Sequence, residues 1–360
     1  MPGFGPRSLL ARIGHLCGPS PARSHSLLAV PYGAYSGLVR YVNVAGARVS
    51  VIGVGAWQFG SREWGYGDAY AQGEAGRIVQ RALDLGVNLI DTAEMYAFGR
   101  SERIVGRAIA GRRDEAFIAT KLFPVLPLAP IVEWRGRSSA RRLGTETIDL
   151  YQVHQPNPVV PLATQMDGMR RLVAAGVVRH VGVSNFSLAR WQAAEAAYAG
   201  PVLSNQVRLS LVDRRPLQDL VPWAAGHDRL VIAYSPLGQG LLSARYDATN
   251  APRRGVRAMN PLFLPENLAR AEGVLGALRD TARAHDATPA QVALAWVTRW
   301  PNVVAIPGAS SVEQLQRNAA AADLELSDDE HTRLTMAAED FHPLQGRAAL
   351  TQLLRARLRS

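Results

Sequence analysis

The sequence predicts an α/β protein, a (β/α)8 TIM barrel with an N-terminal β-hairpin and a long loop insertion before the eighth strand. Eight short runs rich in β-branched residues alternate with helical patterns, and most start 24 to 37 residues apart, the length of one strand plus one helix. The last two starts lie 71 residues apart, and this interval holds the insertion. The strand candidates are VIGVGA from 51, NLIDTA from 88, FIATKL from 117, IDLYQVH from 148, VRHVGVSN from 178, VLSNQV from 202, VIAYSP from 231 and NVVAIPG from 302.

The segments between and before these strands fit the same architecture. RYVNV and ARVSV flank the turn-prone pair Ala45-Gly46 and predict a hairpin. Apolar residues recur at helical spacing between Ile78 and Leu83, and Gly86 is expected to end that helix. Capping boxes predict the starts of three later helices, at Thr288–Gln291, Ser311–Gln314 and Ser327–Glu330.

A doubly wound open sheet is the alternative architecture. Its dinucleotide-binding turn requires G-x-G-x-x-G after the first strand, and here Gly53 and Gly55 are followed by Gln58 where the third glycine would stand. The barrel is therefore favoured over a Rossmann-type fold.

The chain divides into three predicted regions: a disordered leader (1–39), the barrel (40–340) and a basic C-terminal tail (341–360). The leader is rich in Pro, Gly, Ser and Arg and contains no acidic residue. A targeting segment is an alternative, but the apolar stretch Ser26–Val30 is too short for a secretory signal. A disordered end or an upstream start codon is favoured, and a cytoplasmic location is expected.

Composition excludes several classes of function. Cys17 is the sole cysteine, so an internal disulfide and a multi-thiolate metal site are excluded, and no metal is expected. No apolar run approaches the ~18 residues of a membrane helix. The net charge of +10 owes six charges to residues 1–62, and the remainder has no long basic run. Neither a nucleic acid nor a membrane partner is therefore expected, while the oligomeric state is left open.

Polar residues follow the predicted strands, at the rim where the loops of a barrel build its pocket. Asp91 lies on the second strand with Tyr96 shortly after it, Lys121 ends the third strand, and His154 ends the fourth. Taken singly, a Tyr or His in such a place is commonly structural, and Asp91 could cap a turn. Lys121 differs, because an ammonium after the apolar run FIAT is costly to bury unless a carboxylate such as Asp91 pairs with it.

Lys121 is also the only lysine, since the other 39 basic side chains are arginine. A composition that uses arginine wherever a positive charge suffices predicts that Lys121 occupies a site that needs a compact ammonium.

Together these four side chains predict proton donation to a carbonyl oxygen. A nearby cation lowers the pKa of a phenol, so Lys121, oriented by Asp91, is expected to make Tyr96 a general acid. His154 would hydrogen-bond the same oxygen. None of these groups supplies electrons, so the hydride must come from a cofactor, for which reduced nicotinamide is the natural candidate.

The other strand ends suit such a cofactor. Ser184, Asn185 and Gln206 offer hydroxyl and amide groups for a carboxamide, and Tyr234 offers a ring for stacking. The segment 308–311 leads into a capped helix whose backbone N–H groups suit a phosphate, although a simple cap is the alternative.

Two further features remain open from the residues alone. Arg253, Arg254 and Arg257 in the insertion would close over a pyrophosphate or lie in a solvated loop. Trp57, just after the first strand, would line the pocket or plug the end of the barrel.

From about residue 40 to 340 the chain resembles the aldo-keto reductase superfamily, in particular the bacterial branch similar to potassium-channel β subunits. The resemblance lies in the ordered motifs GVGAWQFG, DTAEMYAFGRSERIVGRAI, IATKLF, IDLYQVHQPNP, VGVSNF, AYSPLGQGLL and IPGASSVEQLQRN. It implies a catalytic tetrad of Asp91, Tyr96, Lys121 and His154. It implies nicotinamide contacts from Ser184, Asn185, Gln206 and Tyr234. Phosphate and adenosine contacts are implied for Ser235, Leu237, Gly240, Gly308, Ser310, Gln314 and Asn318.

Two positions depart from the family pattern. Arg317 stands where relatives commonly carry an acidic or amide residue near the adenine; turned inward, it would help to hold a 2′-phosphate, so NADPH (NADP+) is favoured over NADH. Gln155 follows His154 where many relatives have an aromatic residue, which predicts a more polar substrate pocket.

The sequence thus predicts an NAD(P)H-dependent oxidoreductase that reduces a small-molecule aldehyde or ketone to an alcohol, with Tyr96 as general acid. The alternative is a regulatory subunit that binds a nicotinamide nucleotide with little turnover, like the channel-associated relatives.

Overall fold

The eight predicted barrel strands are all present in a computed structural model, which describes residues 39–60, 70–252, 255–346, 348–349 and 351–353. Before them, β1 (Tyr41–Val44) and β2 (Ala47–Ser50) pair antiparallel as the predicted hairpin, turning at Ala45 and Gly46. The barrel strands are β3 (Val54–Gly55), β4 (Leu89–Asp91), β5 (Phe117–Leu122), β6 (Ile148–Val153), β7 (Val178–Ser184), β8 (Ser204–Arg208), β9 (Leu230–Tyr234) and β10 (Val303–Ala305).

The barrel strands form one parallel sheet in chain order from β3 to β10. A parallel bridge between Ile52 and Ala305 joins its two ends, and the Gly55 amide donates to the Pro307 carbonyl at 3.1 Å. Glycine is required at position 55, because a Cβ there would lie 2.6 Å from the carbonyl oxygen of Ile306. The first strand is therefore short, yet it closes the barrel.

Helices pack around this sheet. They are α1 (Ala75–Asp84), α2 (Arg100–Ala108), α3 (Ala129–Leu143), α4 (Leu162–Ala174), α5 (Leu188–Tyr198), α6 (Leu220–Gly226), α7 (Gly255–Ala258), α8 (Pro265–Arg270), α9 (Glu272–Ala284), α10 (Pro289–Val297), α11 (Val312–Ala320) and α12 (Asp328–Glu339). Gly86, at a φ of 79°, ends α1 as predicted. The insertion before β10 contains α7 to α10 as well as irregular segments.

Two of the three predicted capping boxes are complete, at Thr288 before α10 and at Ser327 before α12. At α11 the box is half formed. The hydroxyl of Ser311 accepts from the Gln314 amide, but the Gln314 side chain accepts from the N–H and hydroxyl of Ser310 instead of returning to Ser311. The prediction was wrong in this detail because Ser310 offers two donors to one amide oxygen.

Several polar side chains on the barrel strands are buried. Strands β4, β5 and β6 are buried at every residue, as expected for parallel strands covered on both sides. Asp91, Lys121, Gln152 and Gln206 share this burial. Buried polar groups require hydrogen-bond partners, so these residues indicate a functional site in this part of the barrel.

The predicted leader, 1–39, lies outside the described residues except for its last residue, and the predicted tail is described only in part. Within the described part of the chain, no helix is both long and apolar enough to cross a lipid bilayer.

Candidate active site

A cavity of about 510 Å³ lies at the carboxyl ends of the barrel strands. It is lined by most of the site residues that the sequence predicts: Trp57, Asp91, Tyr96, His154, Gln155, Ser184, Asn185, Gln206, Tyr234, Ser235, Leu237, Gly240, Gly308, Ser310 and Gln314. Lys121 is wholly buried behind this lining. Asn318 does not line the cavity; its side chain is buried and donates to the Gly308 carbonyl at 3.3 Å.

Lys121 is held by three acceptors. Its Nζ lies 2.5 Å from Oδ1 of Asp91, 2.9 Å from the Thr92 carbonyl oxygen and 3.2 Å from Oη of Tyr96. The pairing of β4 with β5 brings these groups together. Burial alone would lower the pKa of Lys121, but attraction to Asp91 and Tyr96 outweighs burial and raises this pKa, so the ammonium stays charged.

The pKa of the Tyr96 phenol is shifted in the direction opposite to the one that the sequence predicts. Burial raises the pKa of Tyr96 above its ordinary value, and Lys121 only partly opposes this rise. The expected lowering was wrong because desolvation of the phenolate outweighs the attraction of the nearby ammonium. Tyr96 is therefore a protonated phenol at neutral pH, which is the state that can donate a proton.

His154 is a neutral ring beside this phenol. Burial, with a smaller contribution from Lys121, lowers the pKa of His154 to about 3. Its ring meets those of Tyr96 and Phe123 edge-on, with centroids 5.9 and 6.0 Å away. Its Nδ1 is buried and has no hydrogen-bond partner among the described residues. A neutral imidazole with no acidic neighbour can donate one hydrogen bond into the cavity without carrying charge.

Two acidic residues that sequence reasoning missed anchor the loop that carries Tyr96. Glu94 accepts from the Phe123 amide at 2.6 Å and pairs with Arg135 at 2.7 Å. Glu102, wholly buried, accepts from Thr120 at 2.7 Å and pairs with Arg142. Both lie in the motif DTAEMYAFGRSE, where their nearness to Tyr96 was the available signal.

The predicted nicotinamide contacts form one hydrogen-bond network. Asn185 donates to the His154 carbonyl and the Ser184 hydroxyl, and its Oδ1 accepts from Oη of Tyr234 at 2.9 Å. The Ser184 hydroxyl donates to the backbone oxygen of Gln206 at 3.0 Å. The Asn185 amide is thus fully engaged, whereas Oε1 of Gln206 has no hydrogen-bond partner among the described residues.

The predicted phosphate end is built from tight backbone. Ser235 and Gly240 have φ of 50° and 103°. Arg257 lines the cavity here and donates to the Gln239 carbonyl, while Arg317 is exposed and away from the lining. Arg253 and Arg254 lie outside the described residues.

Two backbone amides that open α11, where the sequence predicts a phosphate site, already have partners within the protein. The Val312 amide donates to Glu74 at 2.9 Å, and the Gln314 amide donates to Ser311.

Gln58 is a further residue to which the sequence prediction assigned no role in the site. It donates to the Ala309 carbonyl at 2.8 Å, and a Cβ at Gly308 would lie 2.6 Å from its side-chain oxygen. No group of three or more metal-ligating side chains occurs in the described ranges.

The chain is similar to known proteins along most of its length. The model of the aldo/keto reductase family matches residues 51–339. An uncharacterised oxidoreductase of Mycobacterium tuberculosis is 55% identical over 321 residues, which is 89% of this chain and 99% of the relative. A methylglyoxal reductase of Escherichia coli is 33% identical over 300 residues, covering 83% of this chain and 93% of the relative.

Among solved structures, an aldo/keto reductase of Klebsiella pneumoniae in complex with NADP and acetate superposes with a TM-score of 0.69 at 32% identity, covering 86% of this chain and 98% of that one. A family match over most of the chain, together with relatives above 30% identity along nearly their whole length, establishes the family. The chain belongs to the aldo/keto reductase family of oxidoreductases.

Proposed function

We propose that this protein is an NADPH-dependent reductase that converts an aldehyde or ketone to an alcohol, with Tyr96 as the general acid. One observation carries the proposal. The phenol of Tyr96 lines a cavity while its oxygen lies 3.2 Å from a buried ammonium that is itself paired with a carboxylate. A protonated phenol held against a fixed cation can release its proton to a substrate, because the cation stabilises the phenolate that remains.

The residues divide the proton chemistry between them. Tyr96 donates its proton to the carbonyl oxygen as negative charge develops there. Lys121 stabilises the resulting phenolate, and Asp91 holds Lys121 in place. His154, neutral at physiological pH, donates a hydrogen bond to the same oxygen and orients the substrate. When bound, the reduced nicotinamide supplies the hydride that the carbonyl carbon receives.

The side chains present fit a nicotinamide nucleotide. Oε1 of Gln206 is an acceptor for the N–H of a carboxamide, and the Tyr234 ring is held by its bond to Asn185 so that a planar ring can stack on it. The Ser184 hydroxyl would also contact the nicotinamide end of the nucleotide. At the other end, Ser235, Leu237, Gly240, Gly308, Ser310 and Gln314 line a channel for the phosphates and adenosine. Asn318 would support this end indirectly, through Gly308.

The proposed preference for NADPH rests on charge. Arg257 lines the cavity, whereas Arg317, which first suggested a 2′-phosphate, is exposed. A guanidinium in the lining favours phosphate groups, and it would select NADPH where it meets the 2′-phosphate, which NADH lacks, and not the pyrophosphate that both cofactors carry. The solved relative with bound NADP supports the same choice.

The proposed substrate is a small carbonyl compound. Trp57, Met95, Phe123 and Gln155 line the cavity beside Tyr96 and His154, which gives apolar contacts and one amide. The methylglyoxal reductase among the relatives reduces such a carbonyl, as its name states.

The test is consumption of NADPH by the purified full-length protein against a panel of aldehydes and ketones, with cofactor binding followed by quenching of tryptophan fluorescence. Carbonyl-dependent consumption supports the reductase. Tight binding with negligible turnover on every carbonyl would instead favour the regulatory alternative. Absence of quenching would contradict both.

A further inference from the structure

Gln206 makes a hydrogen bond that spans the interior of the barrel. Its Nε2 donates to Oδ2 of Asp91 at 2.7 Å, and both residues are at most 2% exposed. Gln206 lies on β8 and Asp91 on β4, and three strands separate them in either direction around the closed barrel. The bond therefore joins opposite walls directly beneath the cavity.

This bond completes the environment of the Asp91 carboxylate. Oδ1 accepts from Lys121 and Oδ2 accepts from Gln206, so each oxygen has a buried donor. Gln206 is itself fixed, because its backbone oxygen accepts from the Ser184 hydroxyl and from the Asn185 amide at 2.9 Å. The orientation of the carboxylate, and hence of Lys121 against Tyr96, is thus set from the far side of the barrel.

We propose that Gln206 is a positioning residue for the proton donor: by holding Asp91 it fixes the Asp91–Lys121 pair against Tyr96, besides offering its Oε1 to the cofactor. The inference rests on the proposed function. Without the amide donor, Oδ2 of Asp91 would lose its hydrogen bond from Gln206, and the carboxylate would be stabilised less in its charged form, with Lys121 and the nearby Gln152 as its remaining donors. A weakened Asp91 charge loosens Lys121, so the effect reaches Tyr96 through two contacts.

The consequence for Tyr96 has a definite sign. Lys121 is the main influence that opposes the rise in the pKa of Tyr96, through its charge and its hydrogen bond to the phenol. When Gln206 no longer donates, Asp91 holds Lys121 less firmly against the phenol, this opposing influence weakens, and the pKa of Tyr96 rises further. A residue that only touched the cofactor would not change this titration in the free protein.

The test is a double-mutant cycle on the rate of hydride transfer in a single turnover at saturating NADPH. Gln206→Met should slow the transfer about 10-fold in the wild-type background and less than about 2-fold in the Asp91→Ala background, because the two changes act through the same carboxylate. Equal factors in the two backgrounds would overturn the proposal, since a cofactor contact alone gives independent effects.

The matched control is Gln165→Met, which removes another buried glutamine that donates one hydrogen bond, on α4 and outside the cavity lining. It should lower the unfolding temperature without slowing hydride transfer. If Gln206→Met does the same, with the transfer rate preserved, Gln206 is only structural and the proposal is overturned.

A second measurement needs no cofactor and no Asp91 variant. Tyrosinate absorbance is titrated in the free protein, with Tyr96→Phe in each background subtracted to isolate Tyr96. The Tyr96 midpoint should move to higher pH in Gln206→Met and stay in place in Gln165→Met; an unmoved midpoint in Gln206→Met would overturn the proposal. If the wild-type protein reduces no carbonyl, the proposed function fails, and this titration still decides the role of Gln206.

Discussion

Replacing Lys121 with arginine keeps the positive charge and should nevertheless remove most of the activity. The Lys121 ammonium is wholly buried, and three acceptors converge on it within 3.2 Å. A guanidinium is a planar fork, so it cannot occupy the point where these three acceptors meet without displacing one of them. One of these acceptors, the Tyr96 phenol, lines the cavity and is the proposed proton donor.

The magnitude follows from what that displacement removes. General acid catalysis contributes about 10²- to 10⁴-fold to a rate, so kcat of Lys121→Arg should fall by about 100-fold or more. Overfilling a packed interior costs about 1–3 kcal/mol, which is less than the about 5–15 kcal/mol by which a typical protein is stable. The variant should therefore fold, and the affinity for NADPH should change little because Lys121 does not line the cavity.

The assay compares wild type, Lys121→Arg and Lys121→Met by single-turnover hydride transfer, cofactor binding and circular dichroism. If the position of the charge matters, arginine should be nearly as damaging as methionine. Turnover of Lys121→Arg within about threefold of wild type would refute the reasoning and make the sole lysine an accident of composition.

Two further predictions concern stability. The low pKa of His154 means that its ring binds a proton in the unfolded chain below about pH 6.5 but resists protonation in the fold until about pH 3, so this residue should cost about 2 kcal/mol of stability between pH 8 and pH 5. Between these two pH values, denaturant unfolding should show that His154→Gln loses less stability than wild type, by that amount. Identical losses of stability in wild type and His154→Gln would contradict the low pKa of His154. Gly55→Ala should destabilise the protein by about 1–3 kcal/mol, because the new Cβ would lie 2.6 Å from the Ile306 carbonyl oxygen where the barrel closes. Gly276→Ala on α9, where a Cβ meets nothing within 4 Å, is the control and should be neutral or mildly stabilising; equal thermal unfolding of the two variants would argue against the close approach.

The barrel could be predicted because its strands are buried on both sides and therefore appear as uninterrupted apolar runs. An apolar run was less informative about the length of the first strand, where few residues pair. The first strand spans only Val54–Gly55, and the backbone of Ile306 approaches it closely at Gly55. The insertion was recognised from its length, and a capping box announced α10 within it, but its shorter helices lack such a signal.

The positions of the tetrad could be predicted because a parallel barrel brings all strand ends to one rim. The contacts that neighbouring residues make with the tetrad could not be predicted. The bond between Gln206 and Asp91 joins residues 115 positions apart and depends on how far two side chains reach across the interior. The direction of the Tyr96 pKa depends on the balance between burial and the Lys121 charge, and a sequence reveals the charge but not the degree of burial.

The central claim is that Tyr96 protonates a carbonyl that is reduced at the expense of NADPH. Its most direct test follows the absorbance of reduced nicotinamide while wild type and Tyr96→Phe are mixed with each member of a panel of aldehydes and ketones. Wild type should consume NADPH with at least one carbonyl, and Tyr96→Phe should bind the cofactor equally well yet turn over about 10²-fold or more slowly. Undiminished turnover in Tyr96→Phe, or no consumption by wild type with any carbonyl, would contradict the claim.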